Sequence, residues 1–514
     1  MRILVIGDVL LDRDVEGESS RLAPDAPVPV VDVRQVRERA GGAGLAAQLL
    51  CRPGIEVALA CVAADDPSGR ALAGRLPGGL RLVRLGTVPG TRTVTRIRAG
   101  GQSLVRVDEP VPVLAPTAAL DTAALFREVA RADAVLVADY GAGLTRHPLL
   151  RKAIRGRRAG APLVWDPHPH GARPVPGCTV VTPSRAEAER FAGGGSRVGG
   201  RSLTATGVSG TGGYGPAPDQ LAERLRERWQ AHAVAVTAGA TGVFCALADS
   251  PPLFTPTPSV CPGDPVGAGD RFAGTLTAAL AAGAVISEAV ALAVDDVAGW
   301  LWAGGVAAVG GDGTDPVRTP DPPERAARAE RAARADPATR ADQPDRPNPL
   351  LRRRSRPDQG DGLAAAIRLA GRVRARGGTV VATGGCFDLL HAGHVESLQA
   401  ARRLGDCLVV LLNSDDGIRR IKGPDRPVNR AADRRRVLEA LDCVDAVAVF
   451  DTDTPGPALE ALRPQVWAKG GDYATASLPE AQLLPRWGGR VVVLPYLSGR
   501  STTTILDRLK ETRT

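Results

Sequence analysis

Thr383-Gly-Gly-Cys-Phe-Asp-Leu-Leu-His391-Ala-Gly-His394 follows directly on an apolar, strand-like run, Thr379-Val-Val-Ala-Thr383. A strand that enters a glycine-rich turn and then a helix is how parallel α/β folds present backbone N–H groups to an anion. Two imidazoles at the start of that helix add donors suited to phosphate oxygens. The chain has six histidines, and only His391 and His394 occur beyond residue 232. A pair of core histidines would not need this setting. The stretch therefore reads as a phosphate site in an α/β domain.

The same rhythm extends on both sides. Cys407–Leu412, Ala446–Phe450, Val466–Lys469 and Val491–Leu494 read as further strands alternating with helices, which makes 361–514 a smaller, Rossmann-like α/β domain. Upstream, 1–315 alternates Ile3–Ile6, Val57–Cys61, Ala134–Ala138, Leu163–Trp165, Thr179–Val181 and Val234–Thr237 with Ala/Leu-rich stretches. A largely parallel sheet covered on both faces requires that pattern. Residues 193–215 form a Gly/Ser-rich insertion, expected as a surface loop. Between the blocks, 316–360 holds nine prolines and eleven Arg against seven acidic residues. Its Glu-to-Arg pairs within 323–335 suit a transient helix, but no apolar face is available to bury, so the segment reads as a disordered tether.

With 44% hydrophobic and 24% charged residues over 514 positions, the chain has core enough for two or three domains. The net charge of +9 invites a nucleic-acid reading, yet much of the excess sits in the tether. No helix-turn-helix pattern, zinc-knuckle spacing or aromatic-basic interleaving accompanies it, and no nucleic-acid partner is expected. Eight scattered cysteines without C-x-x-C spacing suit buried thiols in a reducing compartment. The N-terminal apolar run meets Asp8 too early for a signal peptide, and Glu288, Asp295 and Asp296 interrupt the apolar stretch near 285–310. The expected location is the cytoplasm, with no membrane contact.

In the first block, Gly263-Asp264-Pro-Val-Gly267-Ala-Gly269-Asp270 precedes a helical run, Phe272–Ala282. The small residues Gly267, Ala268 and Gly269 at a helix start leave N–H groups free to face an anion. Asp270 follows at once, within reach of a hydroxyl held beside that anion. A carboxylate there suits a general base for phosphoryl transfer.

These residues resemble the ribokinase/phosphofructokinase-B sugar-kinase family over nearly the whole block. Asp264 through Asp270 matches that family's C-terminal signature, and Gly41-Gly42-Ala-Gly44 its N-terminal glycine signature. Ser184-x-x-Glu187 stands where the family has an Asn-x-x-Glu acid. The resemblance implies a ribokinase-like fold, with Asp270 as base, Gly267–Gly269 as anion hole, and Glu187 placing Mg²⁺ and phosphates beside Ser184. Gly7-Asp8-Val-Leu-Leu-Asp12, Ser20-Arg21 through Pro29, and Ala138-Asp139-Tyr140-Gly141-x-Gly143 look like the heptose 7-phosphate kinases. That likeness implies Asp8, Asp12, Gly41 and Gly42 at the sugar and Arg21 at its distal phosphate. The chain departs from the family at Leu45 (usually Asn), Pro265 (Thr) and Ser184 (Asn), which bears on sugar preference and turnover.

In the second block, Thr383-x-Gly385-x-Phe387-Asp388 followed by His391-x-Gly-His394 resembles the cytidylyltransferase-like nucleotidyltransferases, over about 375–508. The resemblance implies that both imidazoles contact nucleotide phosphates and stabilise charge as pyrophosphate leaves. Asn413-Ser-Asp415, Lys422, Arg426, Arg434, Lys469, Asp472 and Ser501-Thr502-Thr503 fall in family order. Lys422 and Arg426 are candidates to neutralise the triphosphate. Ser501, Thr502 and Thr503 would offer donors at the start of the last helix, and Asp472 is a candidate for sugar or metal. The likeness is to the heptose 1-phosphate adenylyltransferases, where Gly384 is usually Asn; ATP over CTP is implied by likeness alone.

Taken together, the resemblances imply a bifunctional enzyme of ADP-heptose biosynthesis that uses ATP, Mg²⁺ and heptose phosphates. The kinase product would carry two phosphates and must lose one before the second domain can use it. No phosphatase signature is present, so direct channelling is not expected. Two other readings stay open: a chain whose nucleotidyltransferase alone is active, and a scaffold using the basic tether. The heptose epimer and the oligomeric state, a homodimer among the alternatives, also stay open.

Overall fold

The computed structural model describes residues 1–100, 102–109, 113–193, 216–258, 264–309, 362–470 and 479–494. The tether 316–360 and the insertion from 194 to 215 lie outside them, as do Asp472, Ser501, Thr502 and Thr503. The described residues form two compact units, the first holding those up to 248 and from 257 to 309, the second those from 249 to 256 and from 362 onward.

Short runs of Val, Ile, Leu and Ala make the centre of each unit, because a strand buried on both faces has no polar side to alternate with. In the first unit the strands lie in the order Gly242–Leu247, Ala233–Thr237, Val180–Val181, Leu163–Asp166, Ala134–Ala138, Arg2–Gly7, Glu56–Val62, Arg81–Gly86. All neighbours are parallel except Gly242–Leu247 against Ala233–Thr237. The chain order reverses between Arg2–Gly7 and Ala134–Ala138, and the carboxyl ends of strands at such a reversal open the crevice where α/β sheets bind ligands. Asp8 and Asp139 are the residues that leave those two strands.

A second sheet was not among the sequence expectations. Val9–Leu22, Pro29–Gly42, Thr93–Ala99 and Gln102–Asp108 form four strands in the order Pro29–Gly42, Val9–Leu22, Thr93–Ala99, Gln102–Asp108. Register pairs Asp12 with Arg39 and Val94, and Asp14 with Arg37 and Arg96, so opposite charges stand side by side on one face.

The second unit has five parallel strands in the order Ala446–Phe450, Cys407–Asn413, Val380–Gly385, Val466–Gly470, Arg490–Leu494. The reversal falls between Val380–Gly385 and Val466–Gly470, so the glycine-rich stretch read first from the sequence leaves the sheet at its ligand crevice.

Candidate active sites

In the first unit the helix begins at Ala268, earlier than the sequence expectation, and runs to Ala281. Gly267 caps it at φ +79°, a left-handed conformation that disfavours other residues. Asp270 thus lies in the first helical turn. Leu45, Leu49, Trp300 and Val306 form an apolar cluster against Val266 and Ala268, and Leu45 Cδ2 lies 3.0 Å from where a Cβ on Gly267 would stand. The departure at Leu45 therefore packs the cradle. Pro265 is accommodated too, its carbonyl accepting from Ala268 N at 3.0 Å.

Asp270 is 7% exposed and accepts from the Tyr140 hydroxyl at 2.6 Å. Burial pushes its carboxyl up to about 7, against the Tyr140 bond and with the Asp12 charge adding to the rise. Arg271, next along the helix, turns away to Asp296 at 2.6 and 3.0 Å, so no cation neutralises the base from its own helix. Asp8 accepts from the N–H groups of Tyr140, Ala142 and Leu144, a carboxylate locking the 139–144 loop. Burial still raises its carboxyl above the ordinary value. Asp139 is pushed up to about 6 by burial and the Asp8 charge.

Asp12 sits within the long strand Val9–Leu22 rather than at a strand end, bonded to Arg96 at 2.6 Å and 3.8 Å from Arg39. Gly41 packs on it, since a Cβ there would meet Asp12 Oδ2 at 2.5 Å. Gly42 borders the Tyr140 ring. Arg21 is not brought to this group. It lies exposed nine residues further along the strand, roughly 30 Å at strand rise, paired with Asp32 at 3.3 Å. Ser184 and Glu187 make a reciprocal cap on the helix Arg185–Ala192, with Glu187 Oε2 accepting from Ser184 N and Oγ at 2.8 Å.

In the second unit His391 caps the helix Ala392–Arg402, and its ring stacks on His394 with centroids 3.9 Å apart. Burial, then the neighbouring His391, pushes His394 down to about 4, and the Lys422 charge acts in the same direction. Lys422 is exposed, and its charge reaches His394. Thr383, Gly385, Phe387 and His394 line one cleft of about 120 Å³. The Thr383 hydroxyl donates to Ala468 O at 2.8 Å, tying the two strands at the crevice. Phe387 holds φ +43° and sets its ring edge-on to His394 at 5.2 Å.

Both sides of that turn are clamped. Asp388 takes Arg426 at 2.9 Å and the N–H groups of Val428 and Asn429, which outweigh burial and hold its carboxyl below the usual range. Arg426 is thus committed to Asp388 here. Arg434, which the sequence places in family order without a role, is buried. It donates to Cys386 O, Asn429 O and Asp415 at 2.6, 2.9 and 2.7 Å. Lys469 lies 3.7 Å from Glu480 and over the Trp467 ring. Gly384 has a spatial reason, because a Cβ there would come within 2.6 Å of Trp467 Cη2. Tyr140 and Arg434 are the functional candidates that the sequence reading did not assign.

A kinase cradle and a nucleotidyl-transfer turn in one chain define a two-activity transferase. The sequence model of the pfkB family carbohydrate kinases matches residues 1–296, and that of the cytidylyltransferase-like proteins 382–492. The chain is 48% identical to the bifunctional protein HldE of Streptomyces coelicolor, over 99% of this chain and 96% of that protein. It is 36% identical to the bifunctional protein HldE of Syntrophotalea carbinolica, with the same coverages. Phosphofructokinase-2 of Escherichia coli aligns at 16% identity and a TM-score of 0.43, covering 60% of this chain and 96% of that one. The chain belongs to the bifunctional HldE family, and it is an enzyme, a carbohydrate kinase joined to a nucleotidyltransferase. Among the described residues no helix is long and apolar enough to cross a membrane.

Proposed function

We propose that the first unit moves the terminal phosphoryl group of ATP to O1 of a heptose 7-phosphate, and that the second joins AMP from ATP to a heptose 1-phosphate, releasing pyrophosphate. The observation that carries the reading is Asp270, buried in the first turn of a helix capped by Gly267. A carboxylate lifted to about 7 has the proton affinity to take a hydroxyl proton at neutral pH. The helix start beside it supplies N–H groups for the transferring phosphoryl group. In the second unit no protein nucleophile is needed. His391, His394 and Lys422 bring donors and charge to the leaving pyrophosphate. The kinase occupies 1–315 and the nucleotidyltransferase 361–514 in this reading, with 316–360 as tether, and its place is the cytoplasm.

Mg²⁺ is the divalent ion we propose with the nucleotide. The kinase site fits a cation: half-buried Asp166 is raised well above the ordinary carboxylate range, first by desolvation and then by the charges of Glu187, Asp270 and Asp139. Its bonding partner is the neutral Thr182 hydroxyl. Glu187 would hold the ion together with the nucleotide phosphates, where the ion supplies charge neutralisation.

The test incubates the protein with ATP, Mg²⁺ and a panel of sugar phosphates, following ADP and pyrophosphate separately. Asp270→Asn should cut ADP formation from heptose 7-phosphate by about 10²–10⁴-fold and spare pyrophosphate release. Absence of pyrophosphate with every sugar 1-phosphate would overturn the second half of the reading.

A further inference from the structure

We propose that Tyr140 is a positioning residue of the kinase, its phenol fixing one oxygen of Asp270 so that the other receives the acceptor proton. This rests on the reading of Asp270 as the base. The Tyr140 hydroxyl donates to Asp270 Oδ1 at 2.6 Å. The tyrosine is itself held. Its N–H donates to Asp8 Oδ2 at 3.2 Å, its carbonyl accepts from Arg92 Nη1 at 2.9 Å, and Asp8 pins the following turn through Ala142 and Leu144. The ring borders Gly42, where a Cβ would stand 3.4 Å from Tyr140 Cδ2. The backbone that carries the phenol is thus fixed at both its N–H and its carbonyl, and its ring packs beside the glycine signature.

Burial, then the Asp270 charge, raises the phenol well above its ordinary value, so it stays a donor while the enzyme works. A donor to a carboxylate favours the charged form. The bond therefore opposes burial in setting the pH at which the base becomes available. The other charged groups facing Asp270 are Asp12, itself bonded to Arg96 and near Arg39, and Asp166 at the end of Leu163–Asp166. Arg271 faces Asp296 instead.

The test compares wild type, Tyr140→Phe and Asp270→Asn in ADP formation from ATP, Mg²⁺ and heptose 7-phosphate over about pH 5.5 to 9. Pyrophosphate release by the same preparations reports on the rest of the chain. Tyr140→Phe should move the acid limb of kcat/KM up by about one unit, a roughly tenfold loss below the limb with recovery at high pH. Replacing the four tyrosines with 3-fluorotyrosine keeps the packing and strengthens the donor, and should move the limb down. A uniform loss at all pH values in Tyr140→Phe, or an unmoved limb with fluorotyrosine, overturns the proposal and leaves the base standing. Retained ADP formation in Asp270→Asn overturns the base itself.

Discussion

Gly384 and Trp467 should behave as one unit under mutation. A Cβ at 384 would lie 2.6 Å from Trp467 Cη2 and 3.4 Å from Leu411 O. Carbon atoms settle at about 3.5–4.0 Å, so close to 1 Å must be found, and Trp467 is fully buried with a rigid ring. Overpacking of this kind costs about 1–3 kcal/mol, and a ring that cannot recede places Gly384→Ala near 2 kcal/mol. Trp467→Phe removes the crowding atoms and leaves a cavity, costing roughly 2 kcal/mol alone. The double variant Gly384→Ala/Trp467→Phe should be less destabilised than the sum of the two by about 1–2 kcal/mol. Urea unfolding of the full chain, followed through pyrophosphate release with ADP formation as the internal reference, measures both terms. A Gly384→Ala variant within about 0.5 kcal/mol of wild type, or strict additivity in the double variant, would refute the steric argument.

Arg434→Met leaves the Cys386 and Asn429 carbonyls and Asp415 without their shared donor. The expected loss is roughly 3 kcal/mol of stability in the second unit, read by the same unfolding assay, with sugar phosphorylation unchanged. His394, pushed down to about 4 by burial and His391, is neutral in the free site above that pH. Triphosphate beside it raises its pKa, so binding takes up a proton, and affinity strengthens as pH falls through the raised value toward about 4. Calorimetry in buffers of different ionisation enthalpy near about pH 6 reads that uptake, and zero uptake would remove His394 from the phosphate contacts. Asp388→Ala frees Arg426 and the Val428 and Asn429 N–H groups. Its expected signature is a KM for ATP raised about tenfold in pyrophosphate release, with no change in the kinase; an unchanged KM would make the Asp388 clamp dispensable.

The central strands were legible because a strand covered on both faces must be apolar throughout, and Ile3–Ile6, Ala134–Ala138 and Cys407–Leu412 carry no competing pattern. The four-stranded sheet was not. Val9–Leu22 and Pro29–Gly42 mix charged and apolar residues on both faces, and much of each strand is exposed. Their pairing is decided by register between distant segments, which a local reading does not contain. The glycine and histidine signatures were legible as local geometry. Tyr140 stands in a motif whose local pattern assigns it no task, because its partner Asp270 is 130 residues away. Arg434 shows the reverse limit: a basic residue on a helix looks the same whether it meets solvent or, as here, two carbonyls and a carboxylate. Ser184-x-x-Glu187, which the resemblance assigns to nucleotide and Mg²⁺, also forms a helix cap, a local role that the sequence reading does not include.

The charged face of the four-stranded sheet reaches the loop before Gly267 through an ion pair that water and salt can enter. Asp12 with Arg96, Asp14 with Arg39, and Arg98 with Asp264 at 2.8 Å join the sheet to itself and to the loop before Gly267. Arg98 and Asp264 keep about a quarter of their side-chain surface in water, so dissolved ions reach that contact. Added salt loosens the catch while leaving the apolar cluster of Leu45, Leu49, Trp300 and Val306 intact. The sheet thus holds the loop before Gly267 by an ion pair open to electrolyte, while the packing under Gly267 is apolar.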